Sequence, residues 1–144
     1  MTEVLLVRGA ELVDGTRTDL LVQDGMIVET GSALDKPGAR VIDASGLIAL
    51  PGLVDLHVHF REPGFEASET IFTGSRAAAA GGFTTVFTMP NTSPVADTAG
   101  VVEQELALGE AAGYVTVQPI GAVTVGQKGE RLAELGAMAT SRAR

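Results

Sequence analysis

After Pro51-Gly52 the chain settles into an alternation that leaves few architectures open. The run "LVDLHVHF", Leu53 to Phe60, leads into a helical stretch around "ASETIFTGSRAAAAGG", which Gly81-Gly82 ends. A second strand, "FTTVFTMP", is followed by the loop "NTSPVAD" and by the helix "TAGVVEQELALGEAAG", with Asp97 or Thr98 as its N-cap. A third strand, "YVTVQPIGA", precedes a loop and a helix near "GERLAELGAMA". Neighbouring parallel strands need long crossovers, and helices supply them, so the pattern predicts right-handed βαβ units and a parallel sheet. Three units can open a doubly wound sheet, or make three-eighths of a (β/α)8 barrel, which takes about 250 residues. The chain has 144, and its tail "MATSRAR" offers no further strand. The expectation is either a small open sheet or an incomplete piece of a larger fold.

Residues 1–50 have a different rhythm. "VLLVRGA" is followed by "TDLLVQDGMIVETG", where Asp24-Gly25 is a hairpin signal between two apolar runs. "ARVIDASGLIAL" repeats the idea around a polar turn at Ala44 to Gly46. These residues read as a small antiparallel β unit, giving two domains, 1–50 and 51–144.

Composition narrows the partners. Hydrophobic residues make up 45% and charged residues 19%, which argues against intrinsic disorder. A net charge of -8 disfavours nucleic acid and anionic membranes, but one well-placed arginine still suffices for a small anion. There is no cysteine, hence no disulfide framework, no cysteine zinc site and no thiol nucleophile, which fits a cytoplasmic protein. Glu3, Arg8 and Glu11 break the N-terminal apolar run, unlike a signal peptide. The longest uncharged stretch, Ala77 to Ala96, contains Gly81, Gly82, Pro90, Asn91 and Pro94, too many breakers for a membrane helix. The expected chain is soluble.

The only two histidines, His57 and His59, sit two apart on the first parallel strand. Side chains alternate along a strand, so Leu53, Asp55, His57 and His59 share one face, and Val54, Leu56, Val58 and Phe60 share the other. The second set suits packing against helices. The first turns polar toward its carboxyl end, where α/β folds place their ligands. Residues i and i+2 stand roughly 6.6 Å apart at Cα, close enough for two imidazoles to converge on one ion at about 2.0–2.1 Å. Two hydrogen-bonded histidines inside a sheet fit the same pattern. A catalytic zinc takes three protein ligands or more, so others must come from elsewhere. Asp55 lies too deep to ligate and suits a supporting or structural role.

Arg61 leaves the strand just beyond this position, and its planar fork matches a carboxylate, although Glu62 is an available counter-ion. Asn91 follows the second strand and, in a parallel sheet, reaches the same rim; an Asx-turn in a proline-stiffened loop is the alternative. "GAVTVGQK" nearly scans as a phosphate-binding loop, but Gln127 stands where the lysine is required, so nucleotide binding is declined.

"GLVDLHVHFREPG" together with "GSRAAAAGGFTTVFTMPNTSP" closely resembles the N-terminal third of the dihydroorotases, within the metal-dependent cyclic amidohydrolases. The resemblance covers nearly the whole chain, and the opening β unit looks like the first part of that family's small β-sandwich. The Asp-x-His-x-His run alone marks only the wider group, which includes hydantoinases, dihydropyrimidinases and allantoinases. "HFREPG" and "MPNT" tilt toward dihydroorotase.

The resemblance implies an incomplete (β/α)8 barrel after the sandwich segment. It makes His57 and His59 ligands of one or two zinc ions, and Arg61 and Asn91, with the His59 region, the grip on a substrate carboxylate. The implied reaction is the reversible hydrolysis of L-dihydroorotate to N-carbamoyl-L-aspartate, in pyrimidine synthesis. Further ligands and an acid/base aspartate belong to later barrel strands, beyond Arg144, so no catalytic acid or base is assigned within this chain and it is expected to be inactive alone. The implied partners are the small anionic substrate and either a second copy or aspartate transcarbamoylase; a non-catalytic scaffold beside that enzyme is the competing reading. Three barrel strands have open edges and an uncovered apolar face, so such a chain is expected to aggregate, oligomerise or stay partly molten.

Overall fold

In the computed structural model, which describes residues 3–141, the unit Met1–Pro51 is a four-stranded sheet. Its strands are β1 (Val4–Glu11), β2 (Arg17–Gln23), β3 (Met26–Gly31) and β4 (Arg40–Asp43), in the order β3-β2-β1-β4. Asp24 (φ 49) and Gly25 (φ 77) turn β2 into β3, both with the positive φ that a two-residue type I′ loop needs. The β1–β2 and β2–β3 pairs are antiparallel, but β4 runs parallel to β1, which corrects the expectation of a purely antiparallel unit.

The reason lies at Ala44–Gly46. This turn does not fold "ARVIDASGLIAL" back on itself. Residues 40–43 pair with Leu5–Arg8, and Ile48 then bridges Glu11 in the same direction. The segment is one strand path with a jog in it. Opposite the jog β1 carries a bulge at Gly9 (φ 71), where a Cβ would stand 3.1 Å from Ser45 Oγ. Buried Asp19 stitches the bulge: Oδ1 accepts from Gly9 N (2.7 Å) and Oδ2 from Leu34 N (2.9 Å). Asp19→Ala strands both donors and is expected to lower stability by about 3 kcal/mol in urea denaturation; an unchanged midpoint would contradict this role.

The unit Gly52–Arg144 follows the alternation read from sequence. It contains β5 (Leu53–Val58), α1 (Ile71–Ala80), β6 (Phe83–Thr88), α2 (Ala99–Ala112), β7 (Thr116–Pro119), a 3-10 turn (Val125–Gln127) and α3 (Leu135–Thr140). The sheet order is β5-β6-β7, all parallel. Thr70 caps α1 through a reciprocal capping box with Thr73, and Gly113 (φ 68) closes α2 in the left-handed region. Thr98 is the N-cap of α2, while Asp97 Oδ2 instead accepts from Gly126 N at 2.7 Å.

Helices α1 and α2 pack on β6 and β7, burying Phe60, Ile71, Val86 and Val117 in one cluster and Ala96, Val102, Leu106 and Met138 in another. Close approach needs glycine at Gly109, where a Cβ would meet Val117 at 2.6 Å. One expectation fails in part. Val58 and Phe60 pack as foreseen, but Val54 and Leu56 are 53% and 67% exposed, because β5 is an edge strand that the described helices do not cover. The third helix also starts later than "GERLAELGAMA" suggests, since positive φ at Gly126, Gln127 and Gly129 turns the chain before it. Among the described residues, no helix is long and apolar enough to cross a membrane.

Candidate metal centre

The pairing of β5 with β6 slips between Asp55 and Val58, so β5 bulges just where the first histidine stands. Half-buried Asp55 repairs the ladder, its Oδ1 accepting from His57 N at 2.9 Å. It thus supports the main chain under His57. His59 lies one residue past the strand, and both imidazoles are exposed among the described residues. Their rings stand 5.1 Å apart at 58°, and the two Nε2 atoms approach to 3.2 Å. Two nitrogens bound at about 2.05 Å to one ion with tetrahedral angles stand roughly 3.3 Å apart. The pair has the spacing of two ligands of one metal.

Asn91 fixes which nitrogen is free. Its Oδ1 lies 2.8 Å from His59 Nδ1, and a carboxamide oxygen only accepts, so Nδ1 carries the proton. His59 Nε2 is then a lone pair, and His57 Nε2–H is the donor in the 3.2 Å contact. The structure therefore brings Asn91 onto the histidine pair, as the residue that orients His59. Among the described residues its Nδ2 has no hydrogen-bond partner.

Half-buried Arg61 has no ion pair among the described residues. Glu62, the counter-ion the sequence offered, is used elsewhere: Oε2 accepts from Ile71 N (2.8 Å) at the start of α1. The loops after β5 and β6 are locked together. Met89 N donates to Val58 O (2.8 Å) and Ser93 N to Pro63 O (2.9 Å), while Gly64 (φ 100) leaves no room for a Cβ, which would stand 2.2 Å from Ser93 O. Arg61 and Asn91 are thereby held on two loops that share one rim.

Sequence reasoning missed Glu105. It is 1% exposed, in the middle of α2, with Thr88 Oγ1 donating to Oε2 at 2.9 Å and Thr92 Oγ1 3.5 Å from Oε1. The available signal was an acid at position 105 within the buried stripe Val102, Leu106, Gly109. Burial pushes its carboxyl up to about 7, against the smaller lowering effect of the two hydroxyls. The folded state then holds a proton that the unfolded state has released, so stability falls as pH rises from 4.5 to about 7. The expected loss is roughly 3 kcal/mol. Denaturation at pH 5 and pH 8 should show it, and Glu105→Gln should remove that part of the difference; equal pH dependence in both proteins would contradict the burial argument.

Among the described residues, no three His, Cys, Asp or Glu side chains are placed to hold one ion, so the histidines form half of a donor set. A cavity of about 630 Å³ runs along α2 and β7 past Leu106, Gly109, Tyr114 and Val117, away from the histidines. A smaller one, about 370 Å³, opens beyond the carboxyl ends of β6 and β7, between Met89, Pro90 and Ile120 to Thr124.

Comparison with known proteins places these features in context. Residues 46–143 match the family described as dihydro-orotase-like. The chain is 72% identical over 142 residues to a dihydroorotase of Leifsonia xyli subsp. xyli, covering 99% of this chain and 32% of that protein. It is 60% identical over 139 residues to a dihydroorotase of Streptomyces coelicolor, covering 96% and 32%. The chain thus spans about a third of the length of these relatives. Among solved structures, the L-hydantoinase (dihydropyrimidinase) of Arthrobacter aurescens superposes with a TM-score of 0.73 at 30% identity, over 86% of this chain and 28% of that one. The dihydropyrimidinase of Brevibacillus agri gives 0.59 at 27%, over 87% and 27%.

Proposed function

The chain belongs to the dihydro-orotase-like family, and from that premise we propose that it carries the metal-pair and carboxylate-binding segment of a zinc-dependent dihydroorotase. The reaction is the reversible hydrolysis of L-dihydroorotate to N-carbamoyl-L-aspartate. The carrying observation is the approach of His57 and His59 Nε2 to 3.2 Å on a rim that also holds Arg61, which has no ion pair among the described residues. In this reading the three parallel βα units are the first of a (β/α)8 barrel, and residues 1–50 are part of a β-sandwich. The setting is cytoplasmic, in keeping with a chain without cysteine. A second copy or aspartate transcarbamoylase as partner rests on family resemblance.

His57 and His59 would hold the ion. When bound, zinc would supply an acidified water and a polarised ring carbonyl. His59 offers its lone pair already oriented by Asn91, whereas His57 must first give up the proton on Nε2. Arg61 grips the substrate carboxylate through two parallel hydrogen bonds, and Asn91 Nδ2 donates to the same group while Oδ1 stays on His59. The acid/base group and the remaining ligands lie outside the described residues.

The test is a chimera in which this chain replaces the aligned third of the Leifsonia relative. It should hydrolyse dihydroorotate, and an inactive but folded chimera would sink the reading. The 144-residue chain alone should show no turnover and should lose zinc on dialysis, because two imidazoles make half a site. Retained stoichiometric zinc or measurable hydrolysis would contradict that. The likeness to the Arthrobacter hydantoinase supports a second reading, in which the ring is a hydantoin or dihydropyrimidine. Such rings lack the carboxylate that gives Arg61 its use, so the chimera should prefer dihydroorotate over 5-substituted hydantoins.

A further inference from the structure

We propose that Glu105 is a positioning residue for the histidine pair: from inside α2 it holds the loop that presents Asn91, and thereby sets which nitrogen of His59 carries the proton. The inference rests on the proposed metal centre for its purpose, but not for its test. Thr88 ends β6 and Thr92 follows four residues later, so the two hydroxyls bracket Met89, Pro90 and Asn91. Both threonines are buried, at 1% and 5% exposure, against a carboxyl group that is itself buried. Thr88 Oγ1 donates to Oε2 at 2.9 Å. Thr92 Oγ1 donates to Pro94 O at 2.8 Å and faces Oε1 at 3.5 Å, so Glu105 backs the loop from the helix side.

The other ties run elsewhere. Met89 N and Ser93 N anchor the main chain to Val58 O and Pro63 O, and Ala96 N closes the loop on Pro90 O. Glu105 adds the anchor to the helix layer. A carboxyl group on the buried stripe of α2 that carries Val102, Leu106 and Gly109 is costly to bury, and a leucine would avoid that cost. What a leucine lacks is an acceptor for Thr88 and a polar surface for Thr92. Released on that side, Asn91 no longer keeps Oδ1 at 2.8 Å from His59 Nδ1, and the preference for the Nδ1–H form goes with it.

The chain has two histidines, so four ring nitrogens report the whole story. Magic-angle-spinning 15N spectra of ring-labelled chain, prepared at pH 8.5 without metal, separate protonated from lone-pair nitrogens whatever the particle size. The wild type should show one Nδ1–H ring and one Nε2–H ring, and His59→Asn should remove the former. Asn91→Ala gives the pattern of a released His59. Glu105→Leu should reproduce that pattern, whereas Glu105→Gln, whose carboxamide oxygen still accepts from Thr88 Oγ1 and still presents a polar surface to Thr92, should keep the wild-type one. Should Glu105→Leu fail to fold, Thr92→Val removes one contact of the same clamp and should shift His59 partway.

A wild-type pattern in folded Glu105→Leu, or in Thr92→Val when that variant stands in for it, overturns the proposal, as does a wild type without an Nδ1–H ring. None of these outcomes touches hydrolysis by the chimera, and an inactive chimera leaves the ring spectra unchanged. Failure of the positioning role and failure of the dihydroorotase reading are therefore read separately.

Discussion

Replacing His59 by asparagine in the chimera with the Leifsonia relative is expected to lower dihydroorotate hydrolysis at least ~10³-fold, the scale set by losing the group that acidifies the attacking water. The loss should appear in metal content as well as in rate. His59 offers the lone pair that Asn91 has already aimed, and no other histidine in the chain can take its place. His57→Asn should act on the same ion and give a similar loss. The double variant should be scarcely worse than either single one, since groups that act as a unit are not additive. Full zinc occupancy with unchanged kcat in His59→Asn would remove the metal assignment.

Arg61→Ala carries the second large effect, and it falls on binding. A two-pronged, charge-assisted contact with a carboxylate is worth about 2–4 kcal/mol when one partner is cut away, or roughly 30- to 1,000-fold in kcat/KM. The change should sit mainly in KM for dihydroorotate. Arg61→Lys should recover only part of it, because an ammonium is a point charge and not a fork. Glu62 makes no ion pair with the arginine among the described residues; its Oε2 accepts from Ile71 N instead. A KM for dihydroorotate unchanged in Arg61→Ala would move the assignment toward a ring without a carboxylate, as in the hydantoinases.

What sequence made legible is the part that periodicity and turn chemistry control. The three βα units were readable because β-branched runs alternate with long alanine- and leucine-rich stretches closed by Gly81-Gly82 and Gly113. The Asp24-Gly25 hairpin was readable because that turn needs positive φ twice. The parallel placement of β4 was hidden, since it depends on a jog at Ala44–Gly46 meeting a bulge at Gly9 across the sheet. The exposure of Val54 and Leu56 was hidden too, because alternation says which residues share a face and not whether anything covers it. At the site, the His-x-His spacing foretold two rings within reach of one another. It did not say that Asn91 would orient one of them, that Glu62 would turn to Ile71 N and not to Arg61, or that an acid in an apolar helix stripe would sit behind the loop.

In the proposed site two imidazoles at the end of β5 grip one cation through their Nε2 atoms. Anomalous diffraction at the zinc edge from crystals of the metal-loaded chimera tests it most directly. The expected result is a peak within bonding distance of both His57 Nε2 and His59 Nε2, with Asn91 still on the far nitrogen of His59. Zinc bound elsewhere, with either ring turned away from it, would rule out a shared ion at this pair.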